Sequence, residues 1–199
     1  MSMDFLQNII WIVVAYLIGS IPTAYLIAKR VKGIDICEHG SGNVGATNVA
    51  RVAGKKHGIL TLLGDTAKGF VPVFLALQLG FGAAATGLVA LAAFSGHLYS
   101  IFLKFHGGKG VATALGALLA LAPAATLVLV IIFSLVAAAS RIVSLASIVA
   151  AGAAPAVIGF FGYPPASTGA SLAMAVIIIW RHRANIERLR AGVEPKFTR

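Results

Sequence analysis

The chain has 199 residues, of which 59% are hydrophobic and only 11% charged, and its mean hydropathy is +0.93. So much apolar surface excludes a soluble globular domain and calls for lipid around the fold. Sixteen Lys and Arg against six Asp and Glu give a net charge of +10, but most of the excess flanks apolar segments, so it reads as a topology signal and no nucleic-acid partner is expected.

In chain order the apolar blocks are Phe5 to Ala28, Gly58 to Phe81, Ala84 to Leu103, Val111 to Ala139, Ile142 to Phe161 and Ala166 to Trp180. Most approach the roughly 20 helical residues that a bilayer core of about 30 Å requires. The first has Asp4 before it and Ala28-Lys29-Arg30 after it, unlike a signal peptide, and is expected to stay in the mature protein. The Val111 to Ala139 block would be about 43 Å long as one helix, and Pro123 interrupts it.

Charge chooses between one crossing and two for that block. With the N-terminus outside and a single crossing, Arg141 and the cations Arg181, Arg183, Arg188, Arg190, Lys196 and Arg199 all violate the positive-inside rule. With a break near Pro123 they return to the cytoplasm, and the outer connections Gly80 to Ala83 and Gly162 to Pro165 carry no charge. The sequence therefore predicts an all-α, polytopic membrane bundle of about seven transmembrane helices, with the N-terminus outside and the C-terminus cytoplasmic. No internal repeat or low-complexity linker divides it, so residues 1–199 read as one domain.

Four polar clusters fall on the predicted cytoplasmic face. In Gly40-Ser41-Gly42-Asn43-Val44-Gly45-Ala46-Thr47-Asn48-Val49-Ala50-Arg51, glycines allow close backbone approach to an anion, and a helix opening at Ala46 brings Thr47 or Asn48 within a turn of Arg51. A flexible loop with a topogenic arginine is the plainer reading. In His106-Gly107-Gly108-Lys109-Gly110, backbone N–H groups, a lysine and the start of the helix at Val111 could meet one phosphate. The Walker pattern is absent, so a nucleoside triphosphate is poorly supported. Arg141, Ser144 and Ser147 align on one face, although such serines often bond the preceding turn. His182 and Asn185 are again three apart, in what could be only a basic membrane-surface tail.

Inside the spans, Asp65 and Lys68 are one turn apart and read as an ion pair, and His97 lies about 9 Å deep, able to reach the site or a neighbouring carbonyl. The acids near the face, Asp35, Glu38 and Asp65, do not form a convincing divalent-cation cage. There is no GxSxG elbow, no HxxxxD acyltransferase pair and no signature of alcohol phosphatidyltransferases. These observations imply an anionic, phosphorylated ligand at the lipid–water boundary, with no metal.

Taken together, GSGNVGATNVAR at 40–51, GDTAKG at 64–69, GH at 96–97, FHGGKGVAT at 105–113, RIVSLAS at 141–147 and RHRANIERLRAG at 181–192 resemble the bacterial acyl-phosphate:glycerol-3-phosphate acyltransferases, the PlsY family. The resemblance spans essentially the whole chain. It implies acyl transfer from acyl phosphate to the sn-1 hydroxyl of glycerol 3-phosphate, yielding lysophosphatidic acid and phosphate, the first step of bacterial phospholipid synthesis.

By the same resemblance Ser41, Arg51, Lys109, His182 and Asn185 are expected to be catalytic. Gly42, Asn43, Thr47, Asn48, Lys104, Gly107, Gly108, Gly110, Arg141, Ser144 and Ser147 are expected to hold substrate phosphates, with Asp65, Lys68 and His97 in support. Glycerol 3-phosphate, acyl phosphate and membrane lipid are the expected ligands, and the acyl-phosphate-producing enzyme PlsX is a partner to consider. No cofactor is expected, and the expected location is the bacterial inner membrane with the site on its cytoplasmic side.

A mixed anhydride is already activated, so no covalent nucleophile is required. No histidine has an acidic partner at recognisable spacing, which leaves an oxygen of the donor's own phosphate as the expected base. An anion transporter built on Asp65 and Lys68 is the competing class, but it needs a polar path outward that the uncharged outer turns do not offer. A non-catalytic basic adaptor would leave the Asn, Ser, His and glycine clusters unexplained.

Overall fold

The computed structural model describes residues 3–197, so Arg199 in the charge argument lies outside the described residues. Among the described residues the α-helices are α1 (Met3–Ser20), α2 (Thr23–Lys32), α3 (Ala46–Ala53), α4 (Lys55–Gln78), α5 (Ala83–Leu98), α6 (Val111–Leu121), α7 (Pro123–Ser140), α8 (Val143–Phe160), α9 (Pro165–Arg181) and α10 (Arg183–Arg190). Short 3-10 turns at Ile36–Glu38 and Ile101–Leu103 complete the regular structure. Five segments among the described residues are long and apolar enough to cross a membrane: Phe5–Lys32, Lys55–Gln78, Ala83–Leu103, Pro123–Ser140 and Val143–Phe160. Val111–Leu121 and Pro165–Arg181 are shorter apolar helices.

The expected break at Pro123 is present. Ala122 leaves the helical region, at φ −149° and ψ 67°, and Pro123 begins α7 at a position where its missing N–H costs nothing. A second break divides the first apolar block, read above as continuous, at Ile21-Pro22. Lys68 caps it from α4, its Nζ donating to the Ile21 carbonyl at 2.8 Å. Pro72 and Pro155 lie inside uninterrupted helices, as bundle packing in membranes allows.

Lipid offers helices little hydrophobic reason to associate, and close contact takes its place. Gly19 of α1 and Gly96 of α5 face each other's helices so closely that a Cβ on either would overlap backbone, the carbonyl of Ala93 or of Tyr16. Gly69 of α4 and Gly116 of α6 form an equivalent seam against the carbonyls of Thr113 and Thr66. Phe94, Leu98, Val73, Val89, Ile158 and Met174 fill the main core, and a smaller one under the first polar segment holds Ala24, Ala28, Ile36, Val44, Val49 and Ala53. Leu63, Leu135 and Phe160 are exposed, as lipid-facing side chains are.

Candidate active site

The segment before α3 is shaped by one buried side chain. Asn48 is 1% exposed. Its Oδ1 accepts the Ser41 N–H at 2.9 Å and Nη1 of Arg51 at 3.4 Å, while Nδ2 donates to the carbonyls of His39 at 2.9 Å and Ile36 at 3.4 Å. Its amide is thus committed to holding the Ser41 turn against α3 and steering Arg51, which places it as the organiser of the loop it was expected to serve. Ser41, Gly42, Thr47 and Arg51 are exposed, and Asn43 is half-buried.

The glycine loop rests on His97. The Gly108 N–H donates to the His97 carbonyl at 3.2 Å, a Cβ on Gly107 would strike that carbonyl, and one on Gly108 would strike the imidazole Nε2 and the Val44 carbonyl. The loop therefore needs glycines to lie flat between α5 and the Ser41 segment. Gly110 has φ +83°, where a side chain is strained, and starts α6.

Behind His97 its Nδ1 lies 3.6 Å from Oδ1 of Asp65, and the same oxygen receives Lys68 Nζ at 2.8 Å. The expected Asp65–Lys68 pair is present, with side-chain exposures of 2% and 6%. The fold gives His97 an acidic neighbour from another helix, which no local spacing announces.

Lys109 turns the other way and donates through Nζ to Oδ1 of Asn185, 76 residues along the chain. Asn185 Nδ2 donates to Oε1 of Glu194 at 2.5 Å, Ser144 Oγ donates to the same oxygen at 2.6 Å, and Arg188 Nε donates to Oε2 at 2.6 Å. Burial works against the Glu194 charge, but the Ser144, Asn185 and Arg188 donors outweigh it and hold the carboxyl below its ordinary range. Burial also lowers the pKa of Lys109; Glu194 opposes the shift, while the positive charges of Arg188 and Arg51 add to it.

His182 is 3% exposed and its Nδ1 donates to the Ile178 carbonyl at 2.8 Å. Burial and then the Lys109 charge push its pKa down to about 4, against the partial opposition of that backbone bond and Glu194. It is a neutral imidazole near pH 7. Arg141 takes the left-handed cap of α7 at φ +60°, and its carbonyl accepts the Phe197 N–H at 2.9 Å, which ties the tail to this turn. Ser147 Oγ bonds back to the Val143 carbonyl at 2.9 Å, the plainer of its two readings. Lys104 is exposed at the end of the second 3-10 turn.

Two groupings therefore emerge from the expected residues. Ser41, Asn48 and Arg51 share one network, and Lys109, Asn185 and Ser144 share another through Glu194, the two segments meeting where Gly108 lies against the Val44 carbonyl. Sequence reasoning missed Glu194 and Arg188. The available signal was Gly192, whose φ of +72° turns the tail back, followed two residues later by an isolated acid among cations.

A family model described as glycerol-3-phosphate acyltransferase matches residues 9–192. Curated relatives named glycerol-3-phosphate acyltransferase are 51% identical in Trichlorobacter lovleyi, covering 96% of this chain and 97% of the relative, and 50% identical in Geobacter sulfurreducens, covering 96% and 98%. Crystal structures of PlsY, an integral membrane glycerol 3-phosphate acyltransferase, superpose with TM-scores of 0.92 for its glycerol 3-phosphate form and 0.90 for its lysophosphatidic acid form. Each is 41% identical to this chain, and the match covers 96% of both chains. With the whole bundle and its polar loops matched in this way, the chain belongs to the glycerol-3-phosphate acyltransferase family.

Proposed function

We propose that this chain transfers a fatty acyl group from acyl phosphate to the sn-1 hydroxyl of glycerol 3-phosphate, releasing lysophosphatidic acid and inorganic phosphate at the cytoplasmic face of the bacterial inner membrane. The observation that carries this reading is the close approach of the glycine loop to the first polar segment, Gly108 lying so near the Val44 carbonyl that a Cβ would overlap it, which brings the loop bearing Lys109 against the segment bearing Ser41 and Arg51. Two phosphates must come together for the transfer, and their repulsion requires cations from more than one direction. Ser41 and Arg51 would hold one phosphate, and Lys109 with the Gly107–Gly110 loop the other. The solved relatives in glycerol 3-phosphate and lysophosphatidic acid forms support this acceptor and product.

In the step itself the hydroxyl oxygen bonds to the acyl carbon, the bond from that carbon to the phosphate oxygen breaks, and the hydroxyl proton passes to an oxygen of the departing phosphate. No covalent enzyme intermediate and no metal enter. Two features favour the phosphate as base. His97 is only 6% exposed and its Nε2 packs against Gly108, where an added Cβ would strike it, and His182, with a pKa of about 4, is a weak base. The protein's part is positioning and charge stabilisation, in which Asn185 and His182 fix Lys109 and the wall beside it.

Purified protein should therefore use acyl phosphate with a kcat/KM several orders of magnitude above that for the acyl-CoA of the same chain, and chelators should leave the rate unchanged. Comparable values for the two donors would overturn the proposal. The seven-crossing topology is part of it, with α6 and α9 as short crossings and the site inside. PlsX, which makes acyl phosphate, is the proposed supplier, since a reactive amphiphile favours short-range delivery.

A further inference from the structure

At the end of the bundle that carries the Ser41 segment, α2 and α4 leave between them an open groove of about 380 Å3. None of the residues described above as belonging to the site lines it. Leu26 and Val31 of α2 and Leu60 of α4 give it apolar walls, and Arg30, Lys56 and His57 also line it. Leu26 is 51% exposed, Val31 42% and Leu60 47%, so these walls are uncovered by the protein itself. His57 Nδ1 donates to the Ala53 carbonyl at 2.7 Å, which fixes the ring against α3 and leaves Nε2 as its free nitrogen.

Both walls belong to segments apolar enough to cross the bilayer, Phe5–Lys32 and Lys55–Gln78, and the cations stand at the polar ends of those segments. In that setting acyl chains cover uncovered leucines, and cations at the span ends lie at headgroup depth. Arg30 supplies a planar fork of donors suited to phosphate, and Lys56 supplies a point charge from the facing helix. A soluble phosphate would leave the apolar walls unused, and a neutral lipid would leave the charges unused.

We propose that this groove binds one anionic phospholipid of the surrounding bilayer, its phosphate between Arg30 and Lys56 beside His57 and an acyl chain along Leu26, Val31 and Leu60. The site is independent of the catalytic one and of the reaction proposed for it. Lys29, Lys32 and Lys55 lie at the same end of the bundle but do not line the groove, so they attract anionic lipid only diffusely. That separates a built site from general basic charge.

The test uses the full chain in mixed micelles, with phosphatidylglycerol and phosphatidylcholine of identical chains as probes and retained lipid counted by native mass spectrometry. Wild type is expected to retain one phosphatidylglycerol in preference to phosphatidylcholine. Arg30→Gln/Lys56→Gln should lower that retention roughly tenfold or more, two headgroup-level cations being removed. Lys29→Gln/Lys32→Gln removes the same charge outside the groove and should stay within about twofold of wild type on that reasoning. Leu60→Trp, which keeps every cation and fills the groove, should also weaken retention. Acyltransferase activity in neutral detergent serves as the folding check. Equal losses in the two charge variants, no preference in wild type, or displacement by inorganic phosphate as effective as by lipid would each overturn the proposal.

Discussion

Ser144 and Glu194, 50 residues apart, are joined by a 2.6 Å hydrogen bond from Oγ to Oε1, and through it the C-terminal tail becomes a wall of the site. The same carboxylate accepts from Asn185 and Arg188 and carries a side-chain exposure of 7%, so it is the common acceptor of three donors from α8 and α10. Glu194→Ala should therefore destabilise the protein by about 2 to 4 kcal/mol, because the donors lose their shared partner at once. Arg188 is 44% exposed, and water takes back part of its share. The loss would appear as a lower Tm in detergent, with Glu194→Gln milder than Glu194→Ala. Unchanged melting in both variants would show that the tail is dispensable.

Arg51→Ala and Lys109→Ala are each expected to lower kcat/KM at least tenfold, since a charge-assisted bond contributes roughly 1.5 to 3 kcal/mol. Arg51 lies at an exposed surface and makes one long bond of 3.4 Å to Asn48, so its removal should leave melting almost unchanged. Near wild-type kinetics for both folded variants would take these cations out of the reaction.

Asp65→Asn should destabilise by about 3 to 5 kcal/mol, the usual range for removing one member of a buried pair, because Lys68 is left 6% exposed without its counter-ion. Adding Lys68→Met should recover more than half of that loss in thermal unfolding. No recovery would mean that the Ile21 carbonyl, which also accepts from Lys68, depends on the lysine more than on the pair.

His182 sets a pH limit. Its folded pKa of about 4 lies below the ordinary 6.5, so between those values the unfolded chain binds more protons than the folded one. Stability is then highest above about 6.5 and falls as the pH drops toward 4. Replacing His182 by Gln should flatten the Tm–pH curve across that window, and an identical slope in the variant would exclude His182 as its source.

The features legible in the sequence were those encoded over one or two turns. The break at Pro123, the helix opening at Ala46 and the Asp65–Lys68 pair each depend on neighbours within a few residues. Pro22 is equally visible, yet its block has nearly the length of a single span and so announces no break, whereas the Val111 to Ala139 block is too long for one. The Asp65–His97 approach and the Glu194 hub join segments that only tertiary packing brings together, and no periodicity carries that information. Asn48 stands out in the sequence by its residue type and position; its hydrogen bonds to Ile36, His39, Ser41 and Arg51 show that it shapes the Ser41 segment from beneath.

The two glycine seams set the calibre of the bundle. Where α1 meets α5 and α4 meets α6, main chain rests on main chain, and a contact of that kind has no side chain to flex or repack. A bilayer a few ångströms too thick or too thin for these helices is met by leaning the paired helices together, which is cheaper than sliding one past the other. Asp65 rides on α4, His97 on α5, and the glycine loop is anchored at the mouth of α6. The α4–α6 seam should consequently carry the spacing between Asp65 and the glycine loop unchanged from short-chain to long-chain membranes, and the α1–α5 seam that between His97 and the break at Ile21-Pro22, so that the polar end of the bundle keeps its shape while the lipid around it varies.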